Sequence, residues 1–293
     1  IITGATSGIG RAIAEMLAER GVRVIIPCRN LEKGMLVKQK INSQNIKIFS
    51  LDLLSLKSVH AFVQMLKERG TQIDFLINNA GAMFADPLPT EDGIERTLAT
   101  NYTSVFALTT GLLPLMAQNS IIVNTLSVMV HTTKIDKSIF EIPTEKKYGR
   151  LKQYSRSKAA LMYFTSELTR RLAADGAGNM ADAGSTVDAD NANITAAANK
   201  NITVCATDPG VVNTGIITMH KWYDPLADIF ARPFFKTPQT AAQITMRAIA
   251  DRQNNFLYKG KSQKRPLPPL DKDFSNWLWN KTAEKTINCN TKQ

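Results

Sequence analysis

Residues 1–14, "IITGATSGIGRAIA", set three glycines, Gly4, Gly8 and Gly10, between a short apolar run and a stretch with helical periodicity. Glycine lets a backbone turn tightly and come close to a phosphate, while the free amides and dipole at a helix start attract negative charge. A glycine-rich turn alone says little. One that follows an apolar strand and opens a periodic helix has the setting of a dinucleotide site. Gly4, Ser7, Gly8, Ile9 and Gly10 are therefore candidates to contact a pyrophosphate, against the alternative of a tight turn with a structural role only.

Outward from this turn, short apolar runs alternate with longer 3.6-period stretches. Strands are expected at 1–3, 22–28, 46–51, 73–77, 120–126 and 202–207, with helices at 9–20, 31–43, 56–69, 92–118 and 151–173. A last helix at 238–251 leads to a strand-like piece at 255–259. Repeated βα units of this kind predict an α/β fold, a doubly wound parallel sheet with ligands beyond the carboxyl ends of its strands. One domain over 1–293 is expected, with a basic tail at 260–293. Residues 175–200 break the rhythm with eight Ala, four Asn, four Asp and no aromatic residue, which predicts a flexible surface insertion.

Thirty-six Lys and Arg against 25 Asp and Glu give a net charge of +11, and residues 259–292 carry eight of the cations. Such a balance suits phosphate-bearing ligands, nucleic acid or an anionic membrane, or is simply a solvated basic surface. Nucleic acid is disfavoured, because no finger motif or aromatic platform is interleaved with the charge. Cys28, Cys205 and Cys289 are odd in number and scattered, which fits neither a disulfide framework nor a metal site, and the three histidines do not cluster. A reducing, cytoplasmic setting and no metal are expected. There is no run of 18 apolar residues and no signal-peptide pattern, although the sequence begins inside a strand, so an upstream anchor stays open.

The second strand ends "VRVIIPCRN". An NAD site in such a fold usually offers a carboxylate there for the ribose hydroxyls, whereas an arginine accommodates a 2′-phosphate. Arg29 stands in that place, which predicts NADP(H) over NAD, unless Arg29 only points into solvent. Further along, "KQYSRSKAALMYF" at 152–164 sets Tyr154 four positions before Lys158 on one face of a predicted helix. Phenol and ammonium could there meet the same ligand, or be part of an ordinary amphipathic helix.

Five motifs now fall in register: TGxxxGxG at Thr3 to Gly10, NNAG at Asn78 to Gly81, Ser127 after the fifth strand, YxxxK at Tyr154 and Lys158, and PGxxxT at Pro209 to Thr214. With them the chain resembles the short-chain dehydrogenases/reductases over residues 1–250, in the family's order. "PCRN", His131 and "NWLWNKTAEKT" look most like the retinol dehydrogenase-like branch.

The resemblance implies a Rossmann-type single domain and assigns roles. Tyr154 would be the general acid/base, aided by the Lys158 charge, since a phenol of ordinary pKa about 10 ionises reluctantly. Lys158 would also bond the nicotinamide ribose. Ser127 would hold the substrate oxygen, and Asn101 would brace a helix and keep a water for proton relay. Asp52 and Leu53 would meet the adenine, Asn79, Ala80 and Gly81 the adenosine ribose side, and Pro209, Gly210, Val212 and Thr214 the nicotinamide. Two features depart from the family pattern: Leu126 stands where a serine or small residue is usual before Ser127, and the 175–200 stretch lengthens the loop to the sixth strand.

Residues 213–236, "NTGIITMHKWYDPLADIFARPFFK", lie where the family carries its variable substrate lid, and their apolar character implies a lipophilic carbonyl or alcohol, unless they are core or dimer packing. Together with the basic tail they are also a candidate peripheral contact with a membrane surface. A homo-oligomer stays open. Against an NADP(H)-dependent oxidoreductase stand a non-catalytic redox sensor or scaffold, disfavoured by retention of Asn101, Ser127, Tyr154 and Lys158, and a nucleotide-sugar epimerase or dehydratase, disfavoured by the glycine spacing and the small C-terminal part.

Overall fold

The computed structural model describes residues 1–176, 189–210, 236–260 and 262–287. Its opening segment, residues 1–3, lies between two strand groups. The Ile2 amide donates to Ile25 O at 3.0 Å on one side, and the Thr3 amide donates to Ile77 O at 3.0 Å on the other. It thereby joins β1 (Val24–Cys28) and β2 (Ile46–Ser50) to β3 (Ile73–Asn78), β4 (Met116–Thr125), β5 (Thr203–Asp208), β6 (Phe256–Lys259) and β7 (Gln263–Pro266). The spatial order is β2–β1–opening segment–β3–β4–β5–β6–β7, parallel throughout except for β7 on β6. The chain winds one way from the opening segment to β1 and β2 and the other way from β3 onward. A crevice at the strands' carboxyl ends follows from that reversal.

Helices cover both faces, and strands buried on both faces are continuously apolar rather than alternating. On one face α1 (Gly8–Ala18) packs Ile13 and Leu17, with Ile244 of the helix Pro238–Asp251, against Ile26, Val123 and Cys205. α2 (Leu31–Ile41) starts at an Asn30 cap that accepts the Lys33 amide, and Gly34 lets it lie flat on β1 and β2, since a Cβ there would fall 2.6 Å from Ile48. The other face is covered by α3 (Leu56–Glu68) and by α4, which runs through Arg96–Leu98, a π-helical turn Ala99–Thr103 and Ser104–Leu112. α5 (Arg150–Gly176) and the last helix complete that face. Among the described residues no helix is long and apolar enough to cross a membrane.

The structure corrects four sequence expectations. The helix expected to 118 ends in a 3-10 turn, Leu113–Leu115, and β4 begins at Met116. Pro114 breaks the helix, but the apolar pair Met116–Ala117 suits helix and strand alike, so periodicity runs on past the break. The opening segment forms an isolated bridge at Ile2–Ile77 and a few backbone bonds on either side rather than a full strand. In the stretch expected to be a flexible insertion, Ala189–Ala198 is a helix, α6, with Ile194 and Ala197 buried, while residues 177–188 lie outside those described. After α7 (Pro238–Asp251), the expected tail holds β7 and a helix α8 (Lys272–Ile287) that buries Leu278, Trp279 and Ala283. Its inward face also carries Ser275, Thr282 and Thr286, small polar residues that dilute the apolar signal of a core helix. The expected lid lies outside the described residues except for Lys236.

Candidate active site

The glycine turn is shaped by close approach of two backbones. Gly4 and Gly8 have φ of 68° and 53°, in the left-handed region that side chains with a Cβ avoid. Thr3, buried under the turn, accepts the amides of Asn79 at 3.1 Å and Ala80 at 3.0 Å on its hydroxyl. Asn79 Nδ2 returns a bond to Thr3 O at 3.0 Å, and a Cβ on Gly10 would fall 2.5 Å from both that Nδ2 and Gly4 O. Ser7 is the N-cap of α1 yet its side chain makes no capping bond, so the first-turn amides stay open beside exposed Ser7 and half-buried Ile9. An amide-lined cradle that any Cβ would fill suits a pyrophosphate.

Around this cradle stand the other expected contacts. Arg29 is exposed just past the end of β1. Asp52 is partly engaged already: its Oδ1 accepts the Leu54 amide at 2.9 Å, which makes it a turn former after β2. Leu53 lends its carbonyl to Ser104 Oγ at 2.7 Å. Half-buried Asn79, Ala80 and Gly81 follow β3, and a Cβ on Gly81 would lie 3.4 Å from Lys158 Nζ. Pro209 and Gly210 follow β5, with Gly210 at φ 74° and its amide on Asp208 Oδ1 at 2.9 Å; Val212 and Thr214 lie outside the described residues.

The four candidate reacting and bracing residues converge above β4. α5 presents Tyr154 and Lys158 one turn apart, with Lys158 Nζ 5.9 Å from the centre of the tyrosine ring. That ammonium is buried and donates to Thr125 O, the last residue of β4, at 2.8 Å. Ser127, two residues on, lies close enough to the Tyr154 phenol to pull its pKa down. Asn101, wholly buried in the π-helical turn, accepts the Ala82 amide at 2.8 Å and donates to Ala82 O and Ser157 Oγ, each at 2.9 Å. It thus ties the loop after β3 to the helix that bears Tyr154.

Electrostatics set the resting protonation. Burial lowers the Lys158 ammonium from its ordinary 10.5 to about 8. Burial also raises the Tyr154 phenol above its usual 10; Ser127 pulls it partly back, and the Asp208 carboxylate pushes it further up. The net shift in this state is opposite to the Lys158-driven lowering expected from the sequence. Lys158 is engaged by Thr125 O, and burial of the phenol outweighs any help it gives. At neutral pH the phenol is therefore protonated.

Sequence reasoning passed over several residues. Ser157 donates to Tyr154 O at 2.7 Å while accepting from Asn101, and its place beside Lys158 was the available signal. Asp208 is a buried acid closing an apolar strand, with Lys259 Nζ 3.7 Å from its Oδ2. Glu95, also buried, caps α4 by accepting the amides of Thr97 and Leu98 and takes Gln153 Nε2 at 2.9 Å, which locks α4 to the start of α5. No sequence signal separated that carboxylate from a surface acid. Among the described residues no group of three His, Cys, Asp or Glu could hold a metal ion.

The chain is similar to known proteins along most of its length. The family model for short chain dehydrogenases matches residues 1–193. The chain is 32% identical over 302 residues to retinol dehydrogenase 13 of Mus musculus, covering 97% of this chain and 82% of that protein. It is 30% identical over 301 residues to polyprenol dehydrogenase of Homo sapiens, covering 98% and 84%. A solved structure of an uncharacterized Mycobacterium paratuberculosis protein superposes with TM-score 0.70 at 27% identity, covering 97% of this chain and 91% of that one. The fold is also that of an actinorhodin polyketide ketoreductase with NADPH, at TM-score 0.58, 24% identity and coverage of 85% and 88%.

Proposed function

Because the chain belongs to the short-chain dehydrogenase family, and is an oxidoreductase that uses a nicotinamide dinucleotide on a small molecule, we propose that it interconverts a carbonyl and an alcohol with NADP(H). The observation that carries this reading is the Ser127–Tyr154–Lys158 cluster beside the amide-lined cradle of Gly4, Gly8 and Gly10. When bound, the cofactor supplies or takes the hydride at the carbon. The chain's own residues do the rest. Tyr154, protonated at neutral pH, gives its proton to the carbonyl oxygen, and Ser127 holds that oxygen beside the phenol. Lys158 keeps two N–H donors free of Thr125 O for a ribose hydroxyl, and its charge steadies the phenolate that the transfer leaves. Asn101 fixes the loop after β3 against α5, so that reacting groups meet in a defined geometry.

A lipophilic substrate is supported by the apolar sequence of 213–236 and by the names of two relatives, which act on retinol and polyprenol. NADP(H) is supported by Arg29, exposed just past the end of β1, where folds of this kind usually offer the residue that meets the ribose. The test is consumption of NADPH and NADH with a series of apolar aldehydes and ketones. NADPH turnover is expected; binding of NADPH without turnover of any carbonyl would favour the sensor reading. Arg29→Asp should lower kcat/KM for NADPH by about 10- to 100-fold, the loss of one charge-assisted bond, and leave NADH equal or improved. An unchanged ratio between the two cofactors would remove Arg29 from the site.

A further inference from the structure

The helix α8 reaches the active site from behind. Trp279 stacks on Phe164 of α5, with ring centres 5.7 Å apart, and meets Phe106 of α4 edge-on at 4.8 Å, while the Arg171 guanidinium covers its other side at 4.5 Å. Phe274 meets Tyr163 at 5.1 Å, and Asn276 accepts from Arg170 at 3.1 Å. One helix thus bridges the two that carry Asn101 and Tyr154.

Its contact with the neighbour of Asn101 is polar and fully buried. Thr282 Oγ1 donates to Leu278 O at 2.6 Å, so the 2.6 Å bond to Tyr102 must have the tyrosine hydroxyl as donor and Thr282 as acceptor. Tyr102 follows Asn101 in the π-helical turn Ala99–Thr103. Such a turn gives up regular i→i−4 bonding and needs support from outside. Neighbouring residues in it point to different sides: Asn101 bonds Ala82 and Ser157, and Tyr102 bonds Thr282. The two anchors together fix the rotation of the turn.

We propose that the C-terminal helix Lys272–Ile287 belongs to the catalytic scaffold, with Tyr102 and Thr282 as positioning residues that hold Asn101 against Ala82 and Ser157. Turnover as a readout rests on the oxidoreductase reading above; a second readout does not. Thr282→Val removes the acceptor and keeps the shape, and Thr282→Ser restores it. For Thr282→Val, kcat should fall about tenfold, the scale on which a small misplacement costs rate, with KM for NADPH within about twofold. Amide hydrogen exchange at 99–103 should quicken, and Thr282→Ser should match the wild type in both. Tyr102→Phe, which removes only the donor, should reproduce the Thr282→Val pattern and stands in for it if that variant folds poorly. A lower melting temperature with unchanged exchange at 99–103 and unchanged kcat would overturn the proposal and leave α8 as core packing. If the wild type turns over no carbonyl, the exchange result still decides the positioning role.

Discussion

Tyr154→Phe should lower turnover by about 10²- to 10⁴-fold, the share that a positioned proton donor contributes, while NADPH binds with unchanged affinity. The substitution removes one hydroxyl and keeps a ring beside Lys158, whose Nζ lies 5.9 Å from the ring centre, so packing and the glycine cradle stay as they are. What is lost is the proton that the raised pKa holds on the phenol at neutral pH. Carbonyl reduction should accordingly show no alkaline-side loss through the neutral range, because the donor stays protonated until the pH nears its raised pKa. Steady-state rates paired with a fluorescence titration of NADPH check both halves. Rates within a few-fold of wild type would take Tyr154 out of the proton transfer.

Lys158→Met should abolish most turnover, more than about 100-fold, and yet stabilise the ligand-free protein at pH 7. Burial holds the ammonium at about 8 in the fold, against an ordinary 10.5 in the unfolded chain. Between these values the unfolded chain binds more protons, so the wild type gains stability as pH rises through that window. The burial cost is fully present below pH 8. The difference corresponds to about 3 kcal/mol by linkage, and loss of the bond to Thr125 O offsets about 1 kcal/mol of what the methionine recovers. Urea unfolding should place the variant about 2 kcal/mol above wild type at pH 7, with the gap closing or reversing above pH 10.5. Parallel pH profiles for the two proteins would mean that Lys158 carries no burial cost. A stability gain bought with activity is the usual mark of a functional site.

Both predictions concern residues that helical spacing paired and the family resemblance singled out. Tyr154 and Lys158 share a helix face whatever the helix packs against, because a period of 3.6 puts residues four apart in line. The glycine turn was equally plain, since left-handed φ at Gly4 and Gly8 leaves few alternatives to glycine. The alternation of strands and helices up to β5 followed from local apolar periodicity. Where local signals were ambiguous the reading failed: apolar Met116 and Ala117 extended a helix into a strand, and the Thr- and Ser-studded face of α8 passed for a tail.

The sequence by itself determined the doubly wound sheet and the glycine turn at its edge, because both rest on short-range patterns of glycine and apolar period, while the candidate reacting side chains came from motifs in the family's order. Only the tertiary structure decided the protonation of those side chains and what holds them. Asp208 sits 54 positions from Tyr154, Ala82 sits 19 from Asn101, and Thr282 sits 180 from Tyr102. Burial, charge and support from partners so distant in the chain arise only when the sheet brings them together, and no local pattern carries that information.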